Sequence, residues 1–318
     1  MNLSRASDNA RVQVPAELAA LHEKHFSEAG RLWVDALPDL ADACLDRWQL
    51  RIDGPVAYGA VALVIPVVRQ DGSLAVLKLQ PVDDETGGEP AALLAWAGRG
   101  AVELLAHDPA SGAMLLERLD ASRDLSTMED DQAAAQIIAE LLVQLNSVEA
   151  PAGFRRLNDV AAVTVAGAPR AAQLIEDTDE RRLLADCAGR LEELITDRPD
   201  DRLLHWDLHY FNTLSTLDGS QRWKAIDPKP LSGDPGFELL PALWNRWDDL
   251  VKTGDVSRAL LRRFDLMTGI LGVDRSRAAA WTAGRVLQVA VWDIVRFNEA
   301  HIRGSHRTIA EVLINQRA

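Results

Sequence analysis

Leu203-Leu204-His205-Trp206-Asp207-Leu208-His209-Tyr210-Phe211-Asn212, followed after a short hairpin by Ile226-Asp227-Pro228, is the stretch from which the rest of the chain can be read. An aspartate, an asparagine five positions on and a second aspartate are oxygen-bearing groups suited to accepting a proton and holding magnesium on ATP. Asp207 is the candidate base. Asn212 and Asp227 are the candidate magnesium ligands, because Mg2+ prefers hard oxygens and takes one or two carboxylates together with phosphate and water. His205 reads as a structural residue pinning the loop rather than as a base. His205 and His209 have no thiolate company, which disfavours a Cys/His metal site. His-x-Asp alone recurs by chance, whereas H-x-D-x-x-x-x-N followed by an apolar-flanked I-D-P is far more specific.

Phosphoryl transfer is mostly positioning and charge neutralisation, so such a site also requires a cation and a cradle for phosphates. Lys78 is the one lysine between Lys24 and Lys224, and it sits inside the apolar run Leu74 to Leu79. An unpaired ammonium is costly to bury there, and Glu89 on the following helix is its natural counter-ion. The alternative is an edge-strand lysine facing water. The loop Gly54-Pro55-Val56-Ala57-Tyr58-Gly59-Ala60 can lay backbone amides, that of Gly59 among them, over phosphates. It does not follow G-x-G-x-x-G, so an ordinary loop stands beside that reading. No G-x-x-x-x-G-K-[ST] occurs, which excludes a P-loop kinase, and neither H-E-x-x-H nor G-x-S-x-G is found. Trp206 stands where protein kinases carry the arginine of H-R-D, and no A-P-E follows Asp227, so no phosphorylation-ordered activation loop is expected.

Working outward, Val14 to Leu50 has helical periodicity with interruptions near Ala29-Gly30 and at Pro38. His22 and His25 share a face there and read as solvated. Gln49 to Ile52, Val61 to Val68 and Leu74 to Leu79 read as antiparallel strands, Glu89 to Gly98 as a helix, and Ala101 to His107 with Ala113 to Leu119 as a hairpin. Asp120 to Asp124 is polar and reads as a hinge. Beyond it Glu129 to Val148, Leu157 to Val165, Arg170 to Glu176, Asp179 to Ile195, Pro235 to Trp247, Val256 to Leu271, Arg275 to Glu299 and His306 to Ile314 are helical in pattern, with short strands around the central stretch. The expected fold class is α+β and bilobal: residues 1–119 carry N-terminal helices and a small antiparallel nucleotide-binding sheet, residues 120–318 a larger helical lobe with the catalytic and acceptor sites.

The 318 residues, 47% of them hydrophobic, suffice for two apolar interiors. A formal charge of −14 disfavours nucleic acid and anionic membranes as partners and is compatible with a cationic ligand. No apolar run approaches a membrane span, and Met1 to Asp8 has no apolar core of a signal peptide, so the cytoplasm is the expected location. Cys44 and Cys187 are isolated and read as buried thiols.

These motifs together resemble the kinase-like antibiotic phosphotransferases, which carry H-G-D-L-H-x-x-N and I-D-P where this chain has H-W-D-L-H-Y-F-N and I-D-P-K-P-L-S-G-D-P-G-F-E-L. The streptomycin 6-kinase and hydroxyurea phosphotransferase branch is most similar, through Asp71-Gly72 to Lys78, Trp96 to Leu105, Leu115-Leu116-Glu117 and Asp227 to Phe237. The resemblance spans about Val61 to Trp247. It implies a protein-kinase-like fold, ATP and Mg2+ as cofactors, and a small hydroxyl acceptor, with an aminoglycoside or aminocyclitol ahead of a sugar, amino sugar or choline-like alcohol. A nucleotide-binding pseudokinase or scaffold is disfavoured because all the catalytic parts remain. By the resemblance Asp207 is the base, Asn212 and Asp227 bind magnesium, Lys78 with Glu89 meets the phosphates, and Glu117 to Leu119 is the hinge facing adenine. Trp206 departs from the family's small glycine and can reshape the acceptor pocket. Asp234 and Glu238 can meet a cationic acceptor or cap the helix at Pro235. Trp244, Trp247, Asp248, Trp281, Trp292 and Asp293 can line an acceptor site, or simply pack.

Overall fold

The structure is a computed structural model and describes residues 12–197, 201–220 and 222–315. The Met1 to Asp8 segment, expected not to be a signal peptide, lies outside them. The chain divides into two compact units, one formed by the chain up to Gly98 with Val102–Leu119, the other by Arg99–Ala101 and the chain from Asp120.

The first unit opens with the long helix α1 (Ala16–Arg47). Its break falls at Ser27, whose φ of 54° leaves the helical region, while Pro38 is carried inside the helix. Gly30 answers to that kink: a Cβ there would lie 2.3 Å from the His22 carbonyl oxygen. His22 is buried rather than solvated, stacked on Phe26 and Trp33, with Nε2 3.0 Å from the Val61 carbonyl. Strands β1 (Arg51–Ile52), β2 (Ala57–Tyr58), β3 (Leu63–Val68) and β4 (Leu74–Leu79) precede α2 (Glu89–Trp96), and β5 (Leu104–His107) and β6 (Met114–Glu117) close the unit. The sheet order is β1-β3-β4-β6-β5, with β2 on β3 and every pairing antiparallel. β4 is therefore central. Its Ala75, Leu77 and Leu79 join Leu63, Ile65 and Val67 of β3 in a core that also takes Leu18, Leu37, Ala41 and Leu45 of α1. Alternation then sends Lys78 to the opposite face.

In the second unit the expected hinge residues form a strand, β7 (Leu119–Asp124). A polar stretch can be a strand when another strand supplies its hydrogen bonds, and β7 is the outer member of the sheet β10-β9-β7. Helices α3 (Asp131–Asn146), α4 (Leu157–Leu174) and α5 (Thr178–Thr196) follow. α4 runs through Pro169, joining two segments expected to be separate, and α5 is capped by Asp177 rather than by Thr178 or Asp179. β8 (Arg202–Leu204), β9 (Thr213–Thr216), β10 (Trp223–Ala225) and β11 (Leu231–Gly233) build two small sheets around the central stretch. A 3-10 turn at Pro235–Glu238 leads to α6 (Leu240–Trp244), α7 (Trp247–Lys252), α8 (Val256–Leu271), α9 (Arg275–Phe297) and α10 (Gly304–Ile314). The expected helix from Pro235 to Trp247 is thus broken by the 3-10 turn and again at Arg246, whose φ is 54°. Among the described residues, no helix is long and apolar enough to cross a membrane.

Candidate active site

In the first unit, Lys78 is 3% and Glu89 1% exposed. The Lys78 ammonium donates to both carboxylate oxygens of Glu89 at 2.8 Å, and Gln80 Nε2 donates to Glu89 Oε2 at 2.6 Å. Glu89 is the first residue of α2, where a carboxylate also faces the positive end of the helix. Lys78 is thus a buried cation on a central strand, not an edge lysine in water. Gly59 lies between β2 and β3, and its N–H is used on the Ala62 carbonyl at 2.9 Å, so a phosphate cradle there would draw on neighbouring amides. Glu117 ends β6, with its N–H on the Glu103 carbonyl and its carboxylate taking the Glu103 N–H; Leu119, which opens β7, is buried.

In the second unit the β9–β10 hairpin pairs Thr213 with Ala225, and the Ile226 N–H donates to the Asn212 carbonyl at 2.9 Å. That register brings Asn212 and Asp227 to the same end of one hairpin. The Asn212 amide nitrogen donates to the Asp207 carbonyl at 3.0 Å, so its amide oxygen is the end that would hold a metal. Asp227 has a φ of 56°, an uncommon conformation for a non-glycine residue. The donor set of one amide oxygen and one carboxylate fits Mg2+, which keeps most of its shell for phosphate and water. Among the described residues no cluster of three or more His, Cys, Asp or Glu side chains forms a richer metal cage.

His205 is fully buried, and burial pushes its pKa down to about 4, so it is neutral at pH 7. One ring nitrogen lies 3.0 Å from the Ile226 carbonyl and the other accepts the Asp207 N–H at 3.3 Å. It is a strut between the two halves of the motif. The Asp207 carboxylate faces two opposed effects. Burial alone would raise its pKa, but the Lys229 ammonium, at 3.3 Å, and the Arg285 guanidinium hold it below the ordinary carboxylate value. It is ionised and fit to receive a proton.

Trp206 is buried with a φ of 67°. A left-handed backbone costs a non-glycine residue about 1–2 kcal/mol, which explains why small glycine suits this place. Two buried groups hold it there. Glu238 accepts the N–H of His205 at 2.6 Å and of Trp206 at 2.8 Å, and Arg285 Nη2 donates to the Trp206 carbonyl at 3.0 Å. Charge-assisted bonds of this kind contribute about 1.5–3 kcal/mol each, which outweighs the strain. The indole lies between the guanidiniums of Arg155 and Arg285, 4.9 and 4.8 Å from its centroid.

Several acceptor candidates take other places. Glu238 is fully buried, and its two oxygens accept from the backbone of His205 and Trp206. Asp234 is buried as well; it caps the turn through the Gly236 N–H at 2.7 Å and binds Arg277 Nε at 2.5 Å. Neither presents a carboxylate to a ligand. Trp244 is half exposed and lies beside His306, with centroids 5.6 Å apart. Trp281 is core against Phe237, Trp292 is exposed, and Asp293 pairs with Arg303 at 2.6 Å, so these residues do not gather into one cage. The sequence reading missed the bracing role of Glu238, the guanidinium of Arg285 and the lysine at 229. The usable signals were an acid flanked by Phe237 and Leu239, hence buried, and a cation two residues after Asp227.

The family model for aminoglycoside/hydroxyurea antibiotic resistance kinases matches residues 47–295. A streptomycin 6-kinase from Streptomyces glaucescens is 52% identical over 288 residues, covering 91% of this chain and 93% of that protein. A hydroxyurea phosphotransferase from Kitasatospora aureofaciens is 49% identical over 309 residues, covering 96% and 87%. Among solved structures, a choline/ethanolamine kinase family protein from Mesorhizobium loti shares the fold, with a TM-score of 0.58 at 16% identity and coverage of 86% and 92%. The extent of these matches, on a bilobal α+β fold, shows that the chain belongs to the aminoglycoside/hydroxyurea antibiotic resistance kinases, and that it is an ATP- and magnesium-dependent small-molecule O-phosphotransferase.

Proposed function

We propose that the chain phosphorylates a hydroxyl of an aminocyclitol or amino-sugar antibiotic of the streptomycin kind. The similarity to streptomycin 6-kinases over nine-tenths of the chain supports this, and the ionised Asp207 beside Asn212 and Asp227 is the structural observation that carries the chemistry. In the proposed mechanism, bound ATP supplies the phosphoryl group and magnesium neutralises its charge. Asp207 orients the acceptor hydroxyl and takes its proton at a carboxylate oxygen. Asn212 and Asp227 hold the metal. Lys78, fixed by Glu89, meets phosphate oxygens, and the segment from Glu117 to Leu119 meets adenine. Residues 1–119 are then the nucleotide-binding lobe and 120–318 the catalytic lobe, acting in the cytoplasm where ATP and magnesium are plentiful.

A second acceptor reading has its own support. The two guanidiniums against Trp206, next to Asp207, place positive charge in this neighbourhood, which suits a small neutral hydroxyl compound better than a guanidinylated one. The hydroxyurea phosphotransferase at 49% identity points the same way.

ADP release from Mg·ATP, measured with streptomycin, hydroxyurea, glucosamine and choline, tests both. Turnover with streptomycin supports the first reading and turnover with hydroxyurea alone the second. No ADP release with any aminoglycoside or amino sugar would overturn the first. Removing magnesium with a chelator should abolish turnover in either case.

A further inference from the structure

The Lys229 ammonium lies 3.3 Å from Asp207 Oδ2. Main chain, not side-chain packing, brings it there. The Lys229 N–H donates to the His205 carbonyl at 3.0 Å, and two residues later β11 pairs with β8 through Leu231 and Leu204. The segment after Asp227 is therefore laced to the strand and loop that carry Asp207, and the register sets a cation against the base.

The groups around Asp207 differ in their freedom. His205 is buried and neutral, and burial likewise pushes His209 down. Arg285 is buried, bonded to the Trp206 carbonyl and stacked on Trp206 and Phe237. The Lys229 side chain is 40% exposed. An ammonium on a flexible stem in partial contact with water can exchange one oxyanion partner for another at small cost.

Chemistry fixes where the second partner would be. An acceptor hydroxyl on Asp207 sits about 2.7 Å from the carboxylate, and its oxygen must come within about 3–3.5 Å of the phosphorus it attacks. A cation already touching Asp207 is thus within a side-chain rotation of the transferred group's oxygens. We propose that Lys229 is a catalytic cation that leaves Asp207 and donates to the phosphoryl group delivered by ATP. The proposal rests on Asp207 being the base. As the acceptor oxygen bonds to phosphorus, the bond from phosphorus to the leaving ADP oxygen breaks, and the hydroxyl proton passes to Asp207. Lys229 keeps its protons and changes only its partner.

The test is calorimetric binding of a non-hydrolysable ATP analogue and of ADP, both with magnesium, to the parent, K229A, K229R and D207N. K229A should weaken the triphosphate analogue about tenfold and leave ADP nearly unchanged, because only the analogue carries the group Lys229 meets. K229R should keep the triphosphate preference. D207N, which removes the competing carboxylate, should tighten the analogue, and adding K229A should cancel that gain. If the parent binds both nucleotides and K229A leaves their ratio unchanged, the role of Lys229 is overturned while Asp207 stands. Turnover persisting in D207N would remove Asp207 as base and this inference with it.

Discussion

Glu238 accepts the backbone N–H of Trp206 at 2.8 Å, so a side chain thirty-two residues downstream holds the residue before Asp207 in a left-handed conformation. With the bond to His205 it fixes two consecutive amides from behind. Glu238→Ala leaves both buried donors without their acceptor. We expect a loss of about 3 kcal/mol in stability, read from denaturant melts, and a fall in kcat larger than any rise in KM. An unchanged kcat in a folded variant would show that the brace does not position Asp207.

The same carboxylate predicts opposite pH trends for stability and turnover. Burial raises the Glu238 pKa from 4.5 to about 7, against the lowering by the two amides. Between those values the folded protein keeps a proton that the unfolded chain has lost. The stability this contributes is complete below pH 4.5 and is lost as pH rises through about 7, by a few kcal/mol in total. Glu238→Gln does not titrate, so the parent's melting temperature should fall relative to it over that window and no further above it. Turnover should run the other way, since the ionised form is the one that accepts both amides well.

Lys78 and Glu89 make a buried pair whose members should not tolerate separate removal. Either Lys78→Met or Glu89→Leu leaves a charge inside the protein and should cost about 3–5 kcal/mol. The double substitution removes both charges and should recover most of that stability. Nucleotide affinity should stay low in all three variants. Melts and ATP titrations across this cycle separate the structural from the binding role, and normal ATP affinity in the double variant would remove Lys78 from the site.

What could be read in the sequence follows from what leaves a mark in it. Lys78 was legible because a lone lysine in an apolar strand must find a partner, and Glu89 is the acid that the next helix offers. Asn212 and Asp227 were legible as a spacing, although only the hairpin register shows that they share one end. The bracing role of Glu238 was not legible because its partners are main-chain amides, which every residue has and none advertises. Leu157 to Val165 and Arg170 to Glu176 read as two helices, whereas α4 runs through Pro169 even though proline costs about 3 kcal/mol within a helix. The helix continues because its Ala161, Thr164, Ala168 and Ala171 face is buried, and Gly167 lets Val291 approach to where a Cβ would be at 2.8 Å. Asp120 to Asp124 looked like a hinge because a strand's partner lies elsewhere in the chain.

Trp206 gives the last prediction, in which two effects compete. Replacing it with glycine relieves about 1–2 kcal/mol of backbone strain at a φ of 67°. It also removes a buried indole from between two guanidiniums, and truncating a buried tryptophan costs about 3–5 kcal/mol, with about 1 kcal/mol more for each lost cation–π contact. The second effect is larger, so Trp206→Gly should destabilise the protein by about 3–6 kcal/mol, read from its denaturant midpoint. The space vacated lies beside Asp207 and brings the Arg155 and Arg285 guanidiniums within reach of an acceptor. KM should therefore rise for the native acceptor, and the range of acceptors that release ADP should widen. A variant more stable than the parent would mean that strain at position 206 outweighs the packing of the indole, and an unaltered acceptor profile would place the specificity of this enzyme elsewhere.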